Sequence, residues 1–292
     1  MTTSLYTLEN RGVIALTGTD ARAWLDNLIT NDLAALDTQP AIFAGLLTPQ
    51  GKLLFEFFII RHGADLLIET HAASVTALIK RLTLYKLRAQ IALRDVSAEW
   101  TSLWATRTNA TEVATTAPDR IIFPDPRAQQ YLRRGLAPST APSAPADPAA
   151  YTAARVQFGI AEFPDDYTLG DTFPHEANFD THAGVSFTKG CFVGQEVVAR
   201  MQNKSVVRKR VVRVTANAPL TTGTDITTGA ATIGKLGSVA GNAGLALLRL
   251  DRVAEALNKG EAINAGALAL TVDPDAINTY RHALATRPEI DL

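Results

Sequence analysis

Cysteine occurs once in these 292 residues, methionine twice and tryptophan three times. A single thiol cannot close an internal disulfide, so nothing in the chain calls for an oxidising compartment. An excess of one charge sign is also lacking. Lys and Arg number 28 against 29 Asp and Glu, a net charge of −1, which argues against a whole-protein attraction to nucleic acid or to an anionic membrane. Long apolar runs are missing too. The strongest candidate, Leu53–Ile60, is interrupted by Glu56 and falls short of membrane-spanning length. The N-terminus, Met1-Thr2-Thr3-Ser4-Leu5-Tyr6, has neither the basic start and apolar core of a signal peptide nor the Arg-rich amphipathic character of a mitochondrial presequence. No internal repeat is apparent. These absences lead to the expectation of a cytoplasmic protein, most simply bacterial, with no membrane partner.

What is present is an ordinary globular composition, 47% hydrophobic and 20% charged, long enough for two or three cores. Val13–Leu16 reads as a strand. Thr19 is placed to cap a helix whose Ala21, Trp24, Leu25, Leu28 and Ile29 fall on one face. Ala41–Leu47 and Lys52–Ile60 read as a hairpin around Thr48-Pro49-Gln50-Gly51. Leu66–Glu69 follows as a strand. Ser74 then caps a second helix with Val75, Leu78, Ile79, Leu82 and Tyr85 on one side. Ile91–Leu93, Trp100–Trp104 and Arg120–Phe123 are further strands. Strands and helices mix without strict alternation, which predicts α+β rather than a doubly wound sheet.

The Ala-, Pro- and Ser-rich residues 136–150 read as an exposed loop, and Tyr151–Phe158 as a short helix. From Val206 onward, short β-like runs are punctuated by glycines, the pattern of a small antiparallel barrel, with a helix near Asp251–Leu257. The expected division is residues 1–204 for the first domain and 205–292 for the barrel.

The lone thiol sits in Lys189-Gly190-Cys191-Phe192-Val193-Gly194-Gln195-Glu196, followed by a helical stretch through Arg200. A cation and a helix N-terminus nearby both favour a reactive thiolate. Gly190 and Gly194 allow positive φ or close approach of a ligand, with Gln195 and Glu196 supporting the turn. The alternative is a small buried hydrophobe. His175, Glu176, Asp180 and His182 add metal-ligand types, but their spacing with Cys191 matches no compact zinc motif, so no permanent metal is expected. A lone cysteine also cannot hold an iron–sulfur cluster, which usually takes four thiolates, without a partner. A basic cluster, Arg200, Lys204, Arg208, Lys209, Arg210 and Arg213, suits either RNA or the anionic tail of a small ligand; with no interleaved aromatics, direct nucleic-acid binding is not expected.

Residues Lys189–Glu196 resemble the KGC(F/Y)xGQE signature of the YgfZ family, folate-binding relatives of the glycine cleavage T protein. The likeness extends over Leu16–Ala21, Thr30-Asn31-Asp32-Leu33, Leu47–Lys52, Pro174–Asn178 and Gly234–Ser238. It implies a T-like body of ferredoxin-like halves plus a C-terminal antiparallel β-barrel. It implies a tetrahydrofolate-binding accessory factor for assembly or repair of iron–sulfur proteins, including enzymes that modify tRNA. Its partners would be folate, client proteins and cluster assembly factors, with Cys191 and Lys189 as the reactive pair. Folate would be held by Tyr151, Gln157, Asn178, Asp180 and Arg200. Gln157 stands where T proteins have a glutamate on the pterin, Arg11 where a bacterial homologue has a pocket tryptophan, and His71-Ala72-Ala73-Ser74 where T proteins carry a catalytic aspartate. A weak folate site without aminomethyl transfer is therefore expected, and not a conventional enzyme. The alternatives are a folate-dependent one-carbon transferase and a direct tRNA-binding factor.

Overall fold

A computed structural model describes residues 5–106 and 120–286. Met1–Ser4, part of the stretch read above for targeting, lie outside it. By contacts the chain divides into two compact units. Unit 1 comprises Met1–Pro49, Leu53–Pro148 and Asp180–Val193; unit 2 comprises Gln50–Lys52, Ala149–Phe179 and Gly194–Leu292. Neither unit is a continuous stretch of chain, unlike the 1–204 and 205–292 division taken from composition.

Unit 1 holds, among the described residues, two antiparallel sheets. The first runs β3-β4-β5-β2-β6, with β2 Arg11–Thr17, β3 Ala41–Leu47, β4 Leu53–His62, β5 Asp65–His71 and β6 Ala92–Asp95. Helices α1 (Ala21–Asp26) and α2 (Val75–Leu84) cover it. Alternate residues of these strands, such as Ile14, Leu16, Phe57, Ile59 and Ile68, join Leu25, Ile29, Leu78 and Leu82 in one core, as their apolar periodicity requires. Gly51 turns the hairpin with φ +79°. The caps differ from the sequence reading. Asp20, not Thr19, precedes α1, and its carboxylate accepts from Gln90 N at 2.7 Å instead of capping the helix. Ser74 makes no side-chain cap, while His71 Nδ1 accepts from Ala73 N.

The second sheet runs β1-β7-β9-β8, from β1 Tyr6–Leu8, β7 Trp100–Thr106, β8 Ile121–Pro124 and β9 Leu132–Pro138. Here β9 occupies the start of the stretch read as an exposed loop, with Leu136 and Ala137 buried. Arginines join the two sheets. Arg11 donates to Glu69 at 2.9 Å, Arg134 donates to the same oxygen, and Arg127 forks onto Asp125 at 2.8 and 3.0 Å. Their guanidinium groups lie over Phe58, 4.6 Å away for Arg134 and 4.8 Å for Arg127.

Unit 2 contains α3 (Pro148–Phe158), α4 (Gln195–Lys204) and a seven-stranded antiparallel sheet of order β15-β14-β11-β12-β13-β10-β16. Its long strands are β10 (Lys209–Thr215), β12 (Ala231–Ala240) and β13 (Ala243–Arg249); β11 (Asp225–Thr228) and β14 (Ile263–Ala265) are short. The edge strands β15 (Leu268–Ala269) and β16 (Thr271–Val272) are separated by Leu270 alone, so the sheet returns on itself as a nearly closed barrel. Val212, Val214, Leu236 and Leu248 fill it together with Leu250, Val253 and Ala256 of α5 (Leu250–Lys259) and Ile277 of α6 (Pro274–Thr286). Among the described residues, no helix is long and apolar enough to cross a membrane.

Candidate functional site

Cys191 is exposed, and the residues on both sides of it are anchored in unit 1. Ahead of it, Lys189 sends its Nζ into the turn that follows α1. There it donates to the carbonyls of Asp26 (2.5 Å), Asn31 (2.7 Å) and Ile29 (3.1 Å), with Asp26 Oδ1 at 3.2 Å. This is a cation on the last carbonyl of the helix and two carbonyls of the turn beyond it. Its side chain is 1% exposed; burial lowers the ammonium pKa, and Asp26 offsets only part of that. After the thiol, Phe192 is buried with Lys189 Nζ 5.6 Å from its ring centre, and Val193 packs on the unit 1 core.

The preceding stretch is strapped down by Thr30 and Asn31. Thr30 Oγ1 donates to Gly184 O (2.6 Å) and accepts from Gly45 N (2.8 Å), while Thr30 O accepts from Ser186 N (2.9 Å). Asn31 Nδ2 donates to Ala183 O and Phe43 O, both at 2.7 Å. Ser186 Oγ then accepts from Lys189 N. Thr30, Asn31 and Asp26 are site residues that stand in no motif of functional side chains. The one available signal was the polar Thr-Asn-Asp triplet immediately after an apolar helix face.

The supporting residues of the signature play unequal parts. Gly194, in unit 2, opens α4 in the left-handed region at φ +80°, and Glu196 sits favourably in the first helical turn. Gly190 has no such need: its φ is not positive, and an added Cβ would meet nothing within 4 Å. Gln195 and Glu196 make no side-chain hydrogen bond or ion pair among the described residues. The turn is held instead by Ser186 and Lys189.

The residues assigned to folate have differing exposures and separate partners. Tyr151 is buried on α3 and its hydroxyl donates to Glu162 Oε1 at 2.6 Å. Gln157 is exposed, six residues further on and about 120° around the helix from Tyr151. Asn178 is buried; its amide donates to Val211 O (2.9 Å) and its oxygen accepts from Arg210 (3.1 Å). Arg200 is exposed on α4, and Asp180 belongs to unit 1.

What α3 does gather is a charge network. Arg155 donates to Asp166 (2.7 Å), Asp165 (2.9 Å) and Ser238 Oγ (2.8 Å), with Glu162 at 3.6 Å. Ser238 lies in a bulge of β12, and at the adjacent Gly237 a Cβ would stand 2.6 Å from Asp166 Oδ1. The glycine is needed for the carboxylate to reach Ser238 N, 2.8 Å away. His175 is buried with Nε2 3.1 Å from Gln202 Oε1. Among the described residues, no three His, Cys, Asp or Glu side chains are gathered as a metal site.

Residues 208–278 match the family model described as the CAF17 C-terminal beta-barrel domain. The fold as a whole is similar to glycine cleavage system aminomethyltransferase T from Bartonella henselae, with a TM-score of 0.72 at 15% identity over 92% of this chain and 84% of that one. The expected T-like body with a C-terminal barrel is thus the architecture found. Human iron–sulfur cluster assembly factor IBA57, mitochondrial, is 31% identical over 85% of this chain and 78% of the relative. The homologue from Coccidioides immitis is 30% identical over 87% and 73%. The homologue from Mycosarcoma maydis is 33% identical over 72% of this chain, which spans only 57% of that relative. All three relatives are named as mitochondrial, which overturns the expectation of a bacterial cytoplasmic protein. The resemblance to YgfZ is narrowed to a related group, and with identity of 30% or more over most of both chains, this protein belongs to the IBA57 family of iron–sulfur cluster assembly factors.

Proposed function

We propose that this chain assists the assembly of iron–sulfur clusters on client proteins, with Cys191 as the thiol that meets the cluster. The observation that carries this is an exposed thiol held between anchored residues, Lys189 before it and Phe192 after it. The names of the relatives support the same reading. One thiolate is too few for a cluster, so the remaining ligands come from an assembly factor or the client. Lys189 acts through position: its protons are spent on carbonyls, and it fixes where the loop runs. Clients of this kind are [4Fe–4S] enzymes, those that modify tRNA among them. In a strain lacking the protein, Cys191→Ser is expected to leave [4Fe–4S] enzyme activity unrestored while its melting temperature stays at the wild-type value. A Cys191→Ser protein that melts much earlier yet restores activity would overturn the reading.

A second reading, favoured by the T-protein fold, is weak binding of tetrahydrofolate. Fold alone is an analogy, and the expected ligands are committed elsewhere: Tyr151 to Glu162, Asn178 to Val211 and Arg210. No step is derived through folate. Titration calorimetry of wild type, Tyr151→Phe and Gln157→Ala with tetrahydrofolate tests it; absence of heat with the wild type at millimolar ligand removes folate. Aminomethyl transfer is not expected. The turn after β5 is His71–Ser74, and the nearby Glu69 carboxylate is taken by Arg11 and Arg134. Formation of methylenetetrahydrofolate from an aminomethyl donor would contradict this.

A further inference from the structure

A net charge of −1 conceals a local imbalance. Between Glu69 and Asp95 no acidic residue occurs, while Lys80, Arg81, Lys86, Arg88 and Arg94 all fall in that stretch. Arg94 is paired with Glu99. The other four are exposed, and their charged groups make no ion pair or hydrogen bond among the described residues. At the end of α2, between and beside these cations, stand two bare leucines: Leu84 is 69% exposed and Leu87 is 90% exposed.

The backbone holds Leu87 outward. Its φ is +44°, a region that leucine seldom adopts. Such a conformation persists only where its surroundings fix it, and here both ends of the turn are tied. Trp24 Nε1 donates to Tyr85 O at 2.9 Å, and Gln90 N donates to Asp20 Oδ2 at 2.7 Å. Gly18 lets the chain approach Gln90, since a Cβ there would lie 2.1 Å from Gln90 O. Asp20, the carboxylate bound to this turn, is thus engaged by its backbone.

We propose that this turn is a docking tip for an anionic lipid surface, with Leu84 and Leu87 entering the interface and Lys80, Arg81, Lys86 and Arg88 facing the headgroups. Apolar insertion ringed by unpaired cations is what such a surface selects. A protein partner would need a matched interface of about 800 Å² on each side, and two leucines offer little of that. A lipid surface needs no preformed pocket. Nucleic acid is disfavoured because the tip presents leucines where base stacking needs aromatic rings. The proposal does not rest on the iron–sulfur reading, and it replaces the expectation of no membrane partner, which averaged charge over the whole chain.

The test is flotation of the full chain with vesicles of phosphatidylcholine alone or with about a quarter phosphatidylserine. Binding to the mixed vesicles at low salt, release at high salt and none to phosphatidylcholine alone are expected. Lys86→Gln with Arg88→Gln should weaken binding about 25-fold, roughly fivefold per cation. Leu87→Ser should weaken it roughly tenfold, with melting temperature unchanged in both variants. Absence of binding to the mixed vesicles, equal binding to neutral ones, or variants that bind as well as wild type would each overturn the proposal. A tip that serves an acidic protein would give the first of these results.

Discussion

Both units bury arginine, but they balance it differently. In unit 1, Arg11 and Arg134 share Glu69, Arg127 holds Asp125, a further carboxylate, Glu56, is buried on β4, and the guanidinium groups lie on the faces of Phe58 and Phe43. In unit 2 a single Arg155 faces Glu162, Asp165 and Asp166. The first centre sets several guanidinium groups against carboxylates and aromatic rings; the second gathers three carboxylates on Arg155 and reaches water through Asp165, whose side chain is 53% exposed. In the first, Arg127 and Arg134 hold Asp125 below the usual carboxylate range. A surplus of carboxylate can be relieved by a proton. The two centres should therefore answer to acid in opposite ways.

The largest effects come from removing the hub of each. Glu69→Gln leaves Arg11 and Arg134 without their shared carboxylate, and Arg155→Met leaves Glu162 and Asp166 without a cation. Breaking a buried pair from one side costs roughly 3–5 kcal/mol, measurable by urea unfolding. As pH falls from neutral towards about 4, the loss in Arg155→Met should shrink, because Asp165, already raised by burial and by its acidic neighbours, has lost its cation and takes up a proton. Equal behaviour of the two variants would erase the distinction.

Sharper still is a pair of isosteric changes. Burial pushes Asp125 upward, but Arg127 and Arg134 outweigh it and hold its carboxyl below the usual range. The ionised form therefore stabilises the fold above the unfolded pKa of about 3.9, and that contribution is lost as pH falls through the lower folded value. Burial, helped by Asp166 and Glu162, raises Asp165 in spite of Arg155. Its ionised form works against the fold, and the cost disappears as pH falls through the raised folded value towards about 3.9. The lead of wild type over Asp125→Asn should hold from neutral pH to about 4 and narrow below it. Against Asp165→Asn, wild type should gain over the interval above about 4. Unfolding curves across that range check both signs.

These networks also mark where the sequence stops being legible. Apolar periodicity placed α1, α2, the β3–β4 hairpin and the barrel strands, because those elements are dictated by neighbours three, four or two positions away. Strand β9 was missed at Arg133-Arg134 and Pro138. A buried Arg134 makes sense with Glu69, 65 residues distant. The signature singles out the thiol, but the reading of Lys189 as its partner departs from the carbonyls that Nζ meets. Adjacency in sequence says nothing of where a long side chain points, and its partners lie 158 to 163 residues away. Tyr151 and Gln157 were grouped by family pattern, whereas helical geometry sets them on different faces.

A smaller effect separates the aromatic centre from simple packing. Phe58→Leu keeps an apolar filler but removes the ring beneath Arg127 and Arg134. A loss of about 1–3 kcal/mol is expected, and a loss no greater than in a comparable Phe57→Leu control would deny the ring a special part. The smallest effect is that of Gly190→Ala, which lacks both a steric clash and a positive φ; stability should change by less than about 0.5 kcal/mol. If that variant folds normally but fails to restore [4Fe–4S] enzymes, the open space beside Cys191 is used by whatever docks there.

The strap from Thr30 and Asn31 to residues 183–189 has a consequence in time. Its hydrogen bonds join positions as much as 158 residues apart, whereas the hairpins of the same sheet close locally. At ribosomal rates of about 5–20 residues per second, the turn after α1 waits roughly 10–30 s for Lys189 to be synthesised. Until then, three carbonyls and the hydroxyl proton of Thr30 lack their partners, and the segment that will display the thiol does not exist. A nascent or truncated chain can build much of the first sheet but cannot offer a positioned sulfur. The thiol becomes presentable only once the unit that carries it has been completed.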